Sequence, residues 1–150
     1  MIDVLYRAAT KPDISFLAKI RAKNWGTEQY WIDRITGYLN GTSNPQQSLP
    51  QRIIYVGCHG EQIIGFIAGH LTRRFNCDGE LEWIDVMEEH RRKGIASGLV
   101  RCLARWFVEK EAYKICIDPG NDDARTFYRN LGAASLDKHW MYWNDIRRIL

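Results

Sequence analysis

No pair of cysteines in this chain is spaced as CxxC or CxxH. Cys58, Cys77, Cys102 and Cys116 stand far apart, which offers neither a zinc site nor a disulfide framework. Free, mostly buried thiols are expected, with Cys77 in RFNCDGE the one exposed. Long apolar runs are also missing. Residues 1–20 carry Asp3, Arg7, Lys11, Asp13 and Lys19, which excludes the apolar core of a signal peptide, and no later run reaches membrane-span length. The expectation is a soluble, cytoplasmic protein with no membrane partner. Charge of one sign is scarce as well: 21 Lys and Arg face 18 Asp and Glu, a formal +3. That excess is spread along the chain, whereas a nucleic-acid binder concentrates it on one face. Internal repeats and low-complexity segments are absent.

What is present is a core. With 150 residues, 45% hydrophobic and 12% aromatic, the chain is long enough for one sizeable interior and short for two, so a single domain spanning 1–150 is expected. IDVLYRAAT reads as a strand. KPDISFLAKIRAKNW reads as a helix with Asp13 as its cap and Ile14, Leu17, Ala18 and Ile20 on one face. A second helix covers Thr27 to Leu39, with Thr27 as cap and Tyr30, Trp31, Ile35, Tyr38 and Leu39 at helical spacing. NGTSNPQQSLPQ is a loop. RIIYVGC and IIGFIAGHL, joined by HGEQ with its Gly60, form a hairpin. LEWIDVM is a strand. From Gly94 a helix runs to about Glu109 on Ile95, Leu99, Leu103, Trp106 and Phe107. YKICIDP is a strand, NDDARTFYRNLGA a helix ending at Gly132, and HWMYWNDI a last strand. The hairpin requires antiparallel pairing, and the strand–helix–strand unit over 80–118 requires a right-handed parallel crossover. The fold class is therefore α/β, a mixed sheet flanked by helices.

EEHRRKGIASGLV is the segment that points to chemistry. The first turn of a helix exposes unpaired N–H groups at the positive end of the helix dipole. Gly94 leaves that end open, Ala96 adds only a methyl, Ser97 offers a hydroxyl, and Arg91, Arg92 and Lys93 deepen the positive field. A pyrophosphate is the kind of anion such a loop holds. The P-loop ending and the three-glycine dinucleotide fingerprint are absent, which disfavours ATP and NAD. The alternative is a solvated turn with Gly94 as a mere connection. Nucleic-acid binding here is disfavoured, because Glu88 and Glu89 offset the bases and no aromatics interleave.

Arg91-x-x-Gly94-x-Ala96, following a strand that ends at Val86 and followed by Ile95 and Leu99, resembles the acetyl-CoA-binding motif of the GNAT superfamily of N-acetyltransferases. NDDARTFYRNLGA resembles the family's later helix through Asn121, Ala124, Phe127, Tyr128, Leu131 and Gly132, and YRAATKPDI its opening, so the resemblance spans essentially the whole chain. It implies a mostly antiparallel central sheet flanked by helices, with a β-α-β crossover binding acetyl-CoA as cosubstrate, and it implies no metal. On matching positions, backbone groups of Asp85, Val86 and Met87 would meet the acetyl and pantetheine part. Arg92, Lys93, Gly94, Ile95, Ala96 and Ser97 would cradle the pyrophosphate. Asn121 would touch the pantetheine arm and Tyr128 would stand near the sulfur. The family often has Gly where Ala96 stands, which alters the closest backbone approach.

Acetyl transfer to an amine requires a deprotonated nitrogen, a polarised carbonyl and a proton for the leaving thiolate. Glu80 and Glu82 are the candidate bases: they lie two apart on one strand and project to one face. Glu80 matches the position where several family members keep a catalytic glutamate. Either acid also fits as a strand charge or as a binder of a cationic substrate. Asp85 faces away from them unless a bulge intervenes, which the resemblance leads one to expect. Tyr128 is either a core aromatic or, with its ordinarily protonated phenol, the proton source for the thiolate. Arg125 reads as a surface or phosphate-side cation, and His70 as structural. A covalent acetyl-cysteine finds no suitably placed thiol. The acceptor, a small molecule, amino acid or protein amine, would sit among Trp25, Tyr30, Trp31, Trp83, Trp140, Tyr142 and Trp143, half of them core. A competing class is a non-catalytic acetyl-CoA-binding regulatory domain, which would keep the loop and lose the acids. A homodimer through the last strand's aromatics and a monomer fit equally.

Overall fold

The computed structural model describes residues 2–150. Seven strands form one sheet: β1 (Leu5–Ala8), β2 (Ser48–His59), β3 (Gln62–Thr72), β4 (Gly79–Val86), β5 (Ile115–Ile117), β6 (Ala134–Ser135) and β7 (Met141–Trp143). Their order is β1-β2-β3-β4-β5-β7-β6. Only β4 and β5 run parallel. The helices are α1 (Ile14–Ala22), α2 (Glu28–Asn40), α3 (Ile95–Glu109) and α4 (Asp122–Asn130). The expected mixed, mostly antiparallel α/β sheet is what forms.

The helices divide between the two faces. Ile14, Leu17, Ala18 and Ile20 of α1 and Trp31, Ile35 and Tyr38 of α2 bury against Ile54, Val56, Phe66, Ala68 and Trp83. On the opposite face α3 packs Leu99, Leu103 and Phe107 against Ile64, Ile67, Leu81 and Ile115. This approach is close because the sheet presents glycines there. A Cβ at Gly69 would come within 2.7 Å of Leu103, one at Gly65 within 3.3 Å of Leu99, and one at Gly79 would overlap Phe107. The i, i+4, i+8 stripe of α3 thus meets three side-chain-free positions, and truncating any of these core side chains to Ala costs about 2–5 kcal/mol.

Local signals explain most boundaries. Thr27 caps α2 by accepting the Tyr30 amide at 3.0 Å, Gly41 (φ 80°) closes it in the left-handed region, and Gly60 (φ 61°) turns the hairpin. Several expectations need correction. Asp13 makes no cap bond to α1; its carboxylate accepts the Thr10 amide at 2.7 Å and binds Arg7, because a 3-10 turn at Lys11–Asp13 precedes the helix. Tyr30 and Leu39 are exposed, since the buried stripe of α2 runs through Trp31, Ile35 and Tyr38. β2 begins at Ser48, inside the segment read as loop. There Arg52 donates to the carbonyls of Tyr38 and Ser43 at 2.9 and 3.0 Å and so ties the turn to the strand. β6, only two residues long, follows the helix end at Gly132, where the sequence carries no strand pattern. Cys77 is buried, whereas Cys102 is the partly exposed thiol, because the turn after β3 folds Cys77 inward.

Candidate active site

The sheet opens beside β4. β5 pairs only with Gly79, Glu80 and Leu81, and β4 continues to Val86 without a neighbour on that side. The β3–β4 register shifts between Ala68↔Trp83 and Gly69↔Leu81, so Glu82 is an extra residue, a β-bulge that bends the strand. Strict alternation would place Asp85 opposite Glu80. The bulge reverses the phase, and Asp85 lies on the α1 side, where Arg21 bonds it at 2.9 Å and Asn24 at 3.3 Å. Burial pushes the Asp85 carboxyl up, and the Arg21 guanidinium works against that shift. Asp85 is thus bound up in tying α1 to β4.

Beyond the bulge the ladder decides which backbone groups face the gap. The Met87 amide bonds the Ile64 carbonyl at 2.8 Å. Antiparallel alternation from that bond turns the Ile84 and Val86 backbone away from β3, towards the unpaired side. The Val86 carbonyl accepts Arg91 Nε at 3.1 Å, which leaves the Val86 amide directed into the opening. Arg91 therefore braces the turn that leads from β4 to α3.

That turn delivers the chain to the start of α3. Arg92 (φ 63°) and Gly94 (φ 79°) are both left-handed, and no side chain caps the helix. A Cβ at Gly94 would meet nothing within 4 Å, so glycine is required there by its backbone angle and the space above it is open. Ala96 and Ser97 are half-buried, while Arg92 and Lys93 are exposed. Free helix-start amides, an open approach and two cations make a seat that a diphosphate fits. Gly98, which the sequence reading passed over, receives the Tyr6 ring of β1 and so holds the first turn of α3 against the sheet.

The opposite wall is α4. Asn121 caps it, its Oδ1 accepting the Ala124 amide at 2.8 Å, which leaves its amide nitrogen as the free donor. Tyr128 is 2% exposed, edge-on to Trp143 with ring centroids 5.7 Å apart. Its hydroxyl makes no hydrogen bond among the described residues. Burial, then the negative charge of Asp85 across the opening, pushes the phenol well above its usual range. Arg125 donates to the His139 carbonyl at 2.9 Å, so it pins the β6–β7 connection and is not a phosphate-side cation.

The acids sit together on the α2 side of β4. Glu80 is 3% exposed and His70, at the end of β3, is 0% exposed. A ring nitrogen of His70 and a carboxylate oxygen each of Glu80 and Glu82 all lie within 4.8 Å of one another. His70 Nε2 is 3.5 Å from Glu80 Oε1, and Arg74 reaches the same oxygen at 3.9 Å. Burial, then the charge of Glu80, raises the Glu82 carboxyl. His70 Nε2, Glu80 Oε1 and Glu82 Oε2 are buried without a hydrogen-bond partner among the described residues. Cys116 pairs with Glu80 across the β4–β5 ladder, and the interaction of its free thiol with that of Cys77, together with burial, pushes it up. Of the aromatics, Trp31, Trp83 and Trp143 are core, whereas Trp25 and Tyr30 are exposed. Trp140 stacks on Arg74, 4.2 Å from ring to guanidinium, at the rim of the acid cluster.

The sequence pattern of the acetyltransferase (GNAT) family matches residues 13–133. No curated protein matches the chain. Among solved structures, an N-acetyltransferase from Staphylococcus aureus is similar at 17% identity, with 96% of this chain and 99% of that one covered and a TM-score of 0.70. The PaiA N-acetyltransferase from Thermoplasma acidophilum, in complex with coenzyme A, is similar at 14% identity, with 96% and 99% covered and a TM-score of 0.69. A ribosomal-protein-alanine N-acetyltransferase from Brucella melitensis is similar at 18% identity, with 91% and 96% covered and a TM-score of 0.67. At these identities the structural likeness concerns the fold.

Proposed function

Because the chain belongs to the GNAT acetyltransferase family, we propose that it moves the acetyl group of acetyl-CoA to a primary amine within a ternary complex, the whole of 1–150 acting as one domain. The observation that carries this reading is the unpaired stretch of β4 between an uncapped helix start on one side and Tyr128 on the other. The amides of Ile95, Ala96 and Ser97, with Arg92, Lys93 and Gly94, would hold the diphosphate. The Val86 amide, the donor that faces the opening, and the Asn121 amide would hold the pantetheine arm; the Met87 amide and the Asp85 backbone, expected beside it, are turned to β3 instead. The PaiA protein's complex with coenzyme A supports the cosubstrate. Acetyl-CoA supplies the activated acyl group when bound.

The chain's own residues supply the proton chemistry. An alkyl ammonium has a pKa near 10, so a base must remove its proton before the nitrogen can attack. Glu82 is better placed than Glu80: it is half-buried and reachable, and its raised carboxyl is a stronger base than an ordinary one. Glu80 is its charged neighbour, which also attracts the ammonium. Tyr128 serves the leaving sulfur. A phenol held above its usual range donates a hydrogen bond but surrenders its proton reluctantly, so its main contribution is donation to the developing thiolate. Retention of both acids and of Tyr128 favours an enzyme over a non-catalytic acetyl-CoA-binding domain.

Two measurements test the reading. Thiol release from acetyl-CoA across a panel of amines, amino acids and peptides should single out an acceptor; no release with any of them would favour the binding domain. Gly94→Val, β-branched at a left-handed position, should weaken coenzyme A binding in calorimetry without unfolding the protein. Unchanged affinity would remove the diphosphate seat from the start of α3.

A further inference from the structure

Beneath the acids lies a buried chain that the reading above does not use. Tyr38 of α2 is 1% exposed and its hydroxyl is 2.9 Å from His70 Nδ1. His70 Nε2 in turn faces Glu80 Oε1 at 3.5 Å, with Glu82 inside the same 4.8 Å cluster. We propose that His70, oriented by Tyr38, is a positioning residue that presents its Nε2–H to the Glu80–Glu82 pair and so keeps both carboxylates available in their charged form.

The tautomer follows from the surroundings. Among the described residues the Tyr38 hydroxyl has one hydrogen-bond partner, His70 Nδ1. Burial keeps that hydroxyl protonated, so it has a proton to donate. Nδ1 then accepts and the ring's single N–H is on Nε2. The alternative tautomer would aim a bare nitrogen lone pair at the carboxylates in a buried setting, a repulsive arrangement. Two carboxylates this close resist ionising together. A neutral donor facing Glu80 offsets that resistance without cancelling the pair's charge towards an incoming ammonium.

Other charged and titratable groups face the pair from every element around it. Arg34 and Tyr38 approach from α2, Arg74 and Cys77 from the turn after β3, and Cys116 from β5, while Arg52 of β2 lies against Tyr38. Of these, Arg74 at 3.9 Å is the cation nearest Glu80. It comes from the rim, where Trp140 and Phe75 flank it. His70 acts from below, at a point solvent does not reach, so solvent cannot replace its donor.

The proposal rests on the acid–base reading of Glu80 and Glu82, and its test separates the two. Nitrogen-15 NMR of the ligand-free protein should show the proton of the neutral His70 ring on Nε2. A proton on Nδ1 would overturn the proposal whatever the enzyme acetylates. In His70→Leu the pair loses its donor and takes up its first proton more readily. The acidic limb of kcat/KM should then rise by up to about one pH unit, because the 3.5 Å contact is looser than a full hydrogen bond to a charged group. His70→Gln, which places an amide near the Nε2 position, should restore the limb. Tyr38→Phe should move it in the same direction by less, and keeps the test open if His70→Leu does not fold. Carbon-13 titration of the glutamate carboxyls gives the same readout in a protein that acetylates nothing. A folded His70→Leu protein whose limb and carboxyl titrations stay put would show His70 to be packing alone.

Discussion

Replacing Glu82 by Gln separates the two acids of the cluster more directly than any other change. The side chains are nearly isosteric, and Glu82 is the bulge residue with no ladder partner, so the fold should persist. If Glu82 removes the ammonium proton, its loss should lower kcat/KM by about 10²–10⁴, or roughly 3–5 kcal/mol of transition-state stabilisation. The acidic limb of the pH profile should vanish with it. Glu80→Gln has a different signature. The Glu82 carboxyl is raised first by burial and second by the charge of Glu80. Removing that charge leaves the burial effect, so the limb should move to lower pH and persist, with a smaller fall in rate. Thiol release measured from pH 5 to 9, with the acceptor identified by the amine panel, reads both variants. A Glu82→Gln protein that keeps its rate and limb, while Glu80→Gln loses both, would transfer the base to Glu80.

Other expectations follow from the same contacts. Tyr128→Phe should cut kcat about 10–100-fold with coenzyme A affinity nearly unchanged, as for one transition-state donor removed; equal rates with a lowered Tm would make the tyrosine structural. Thr27→Ala removes the α2 cap and should cost about 1 kcal/mol, a fall of about 2–4 °C in Tm; an unchanged melt would mean the bond to Tyr30 contributes nothing. The Arg7 guanidinium holds the Asp13 carboxyl at about 2, below its unfolded value near 3.8. Its stabilisation is therefore present above about pH 4 and lost as the pH falls through 2. Because Arg7 is 40% exposed, solvent screening keeps the effect of Asp13→Asn to about 1 kcal/mol or less. Wild type and variant should melt apart at pH 7 and together near pH 2; a gap that survives at pH 2 would trace it to something other than the ion pair.

Local physics made much of this protein legible in its sequence. Helical spacing of Ile95, Leu99, Leu103 and Phe107, the Thr27 cap, the turn at Gly60 and the glycine after Arg91-Arg92-Lys93 each act over a few residues, so each could be read without a fold. The helix-start anion seat is of the same kind: free amides, a left-handed Gly94 and neighbouring cations are all consecutive.

The acid cluster belongs to the tertiary structure. Period-two alternation put Glu80 and Glu82 on one face and Asp85 on the other. The bulge at Glu82, fixed by pairing with β3 some fifteen residues back in sequence, brought Asp85 round to Arg21. His70 looked like an ordinary strand-end histidine until α2 placed Tyr38 behind it and β4 placed Glu80 in front. Charge and proton affinity at these groups depend on how completely water is excluded and on which neighbour arrives from a distant segment. Neither is a property of the residues alone, so the chain could announce an open, cationic helix start while only the folded sheet could decide how its acids are held.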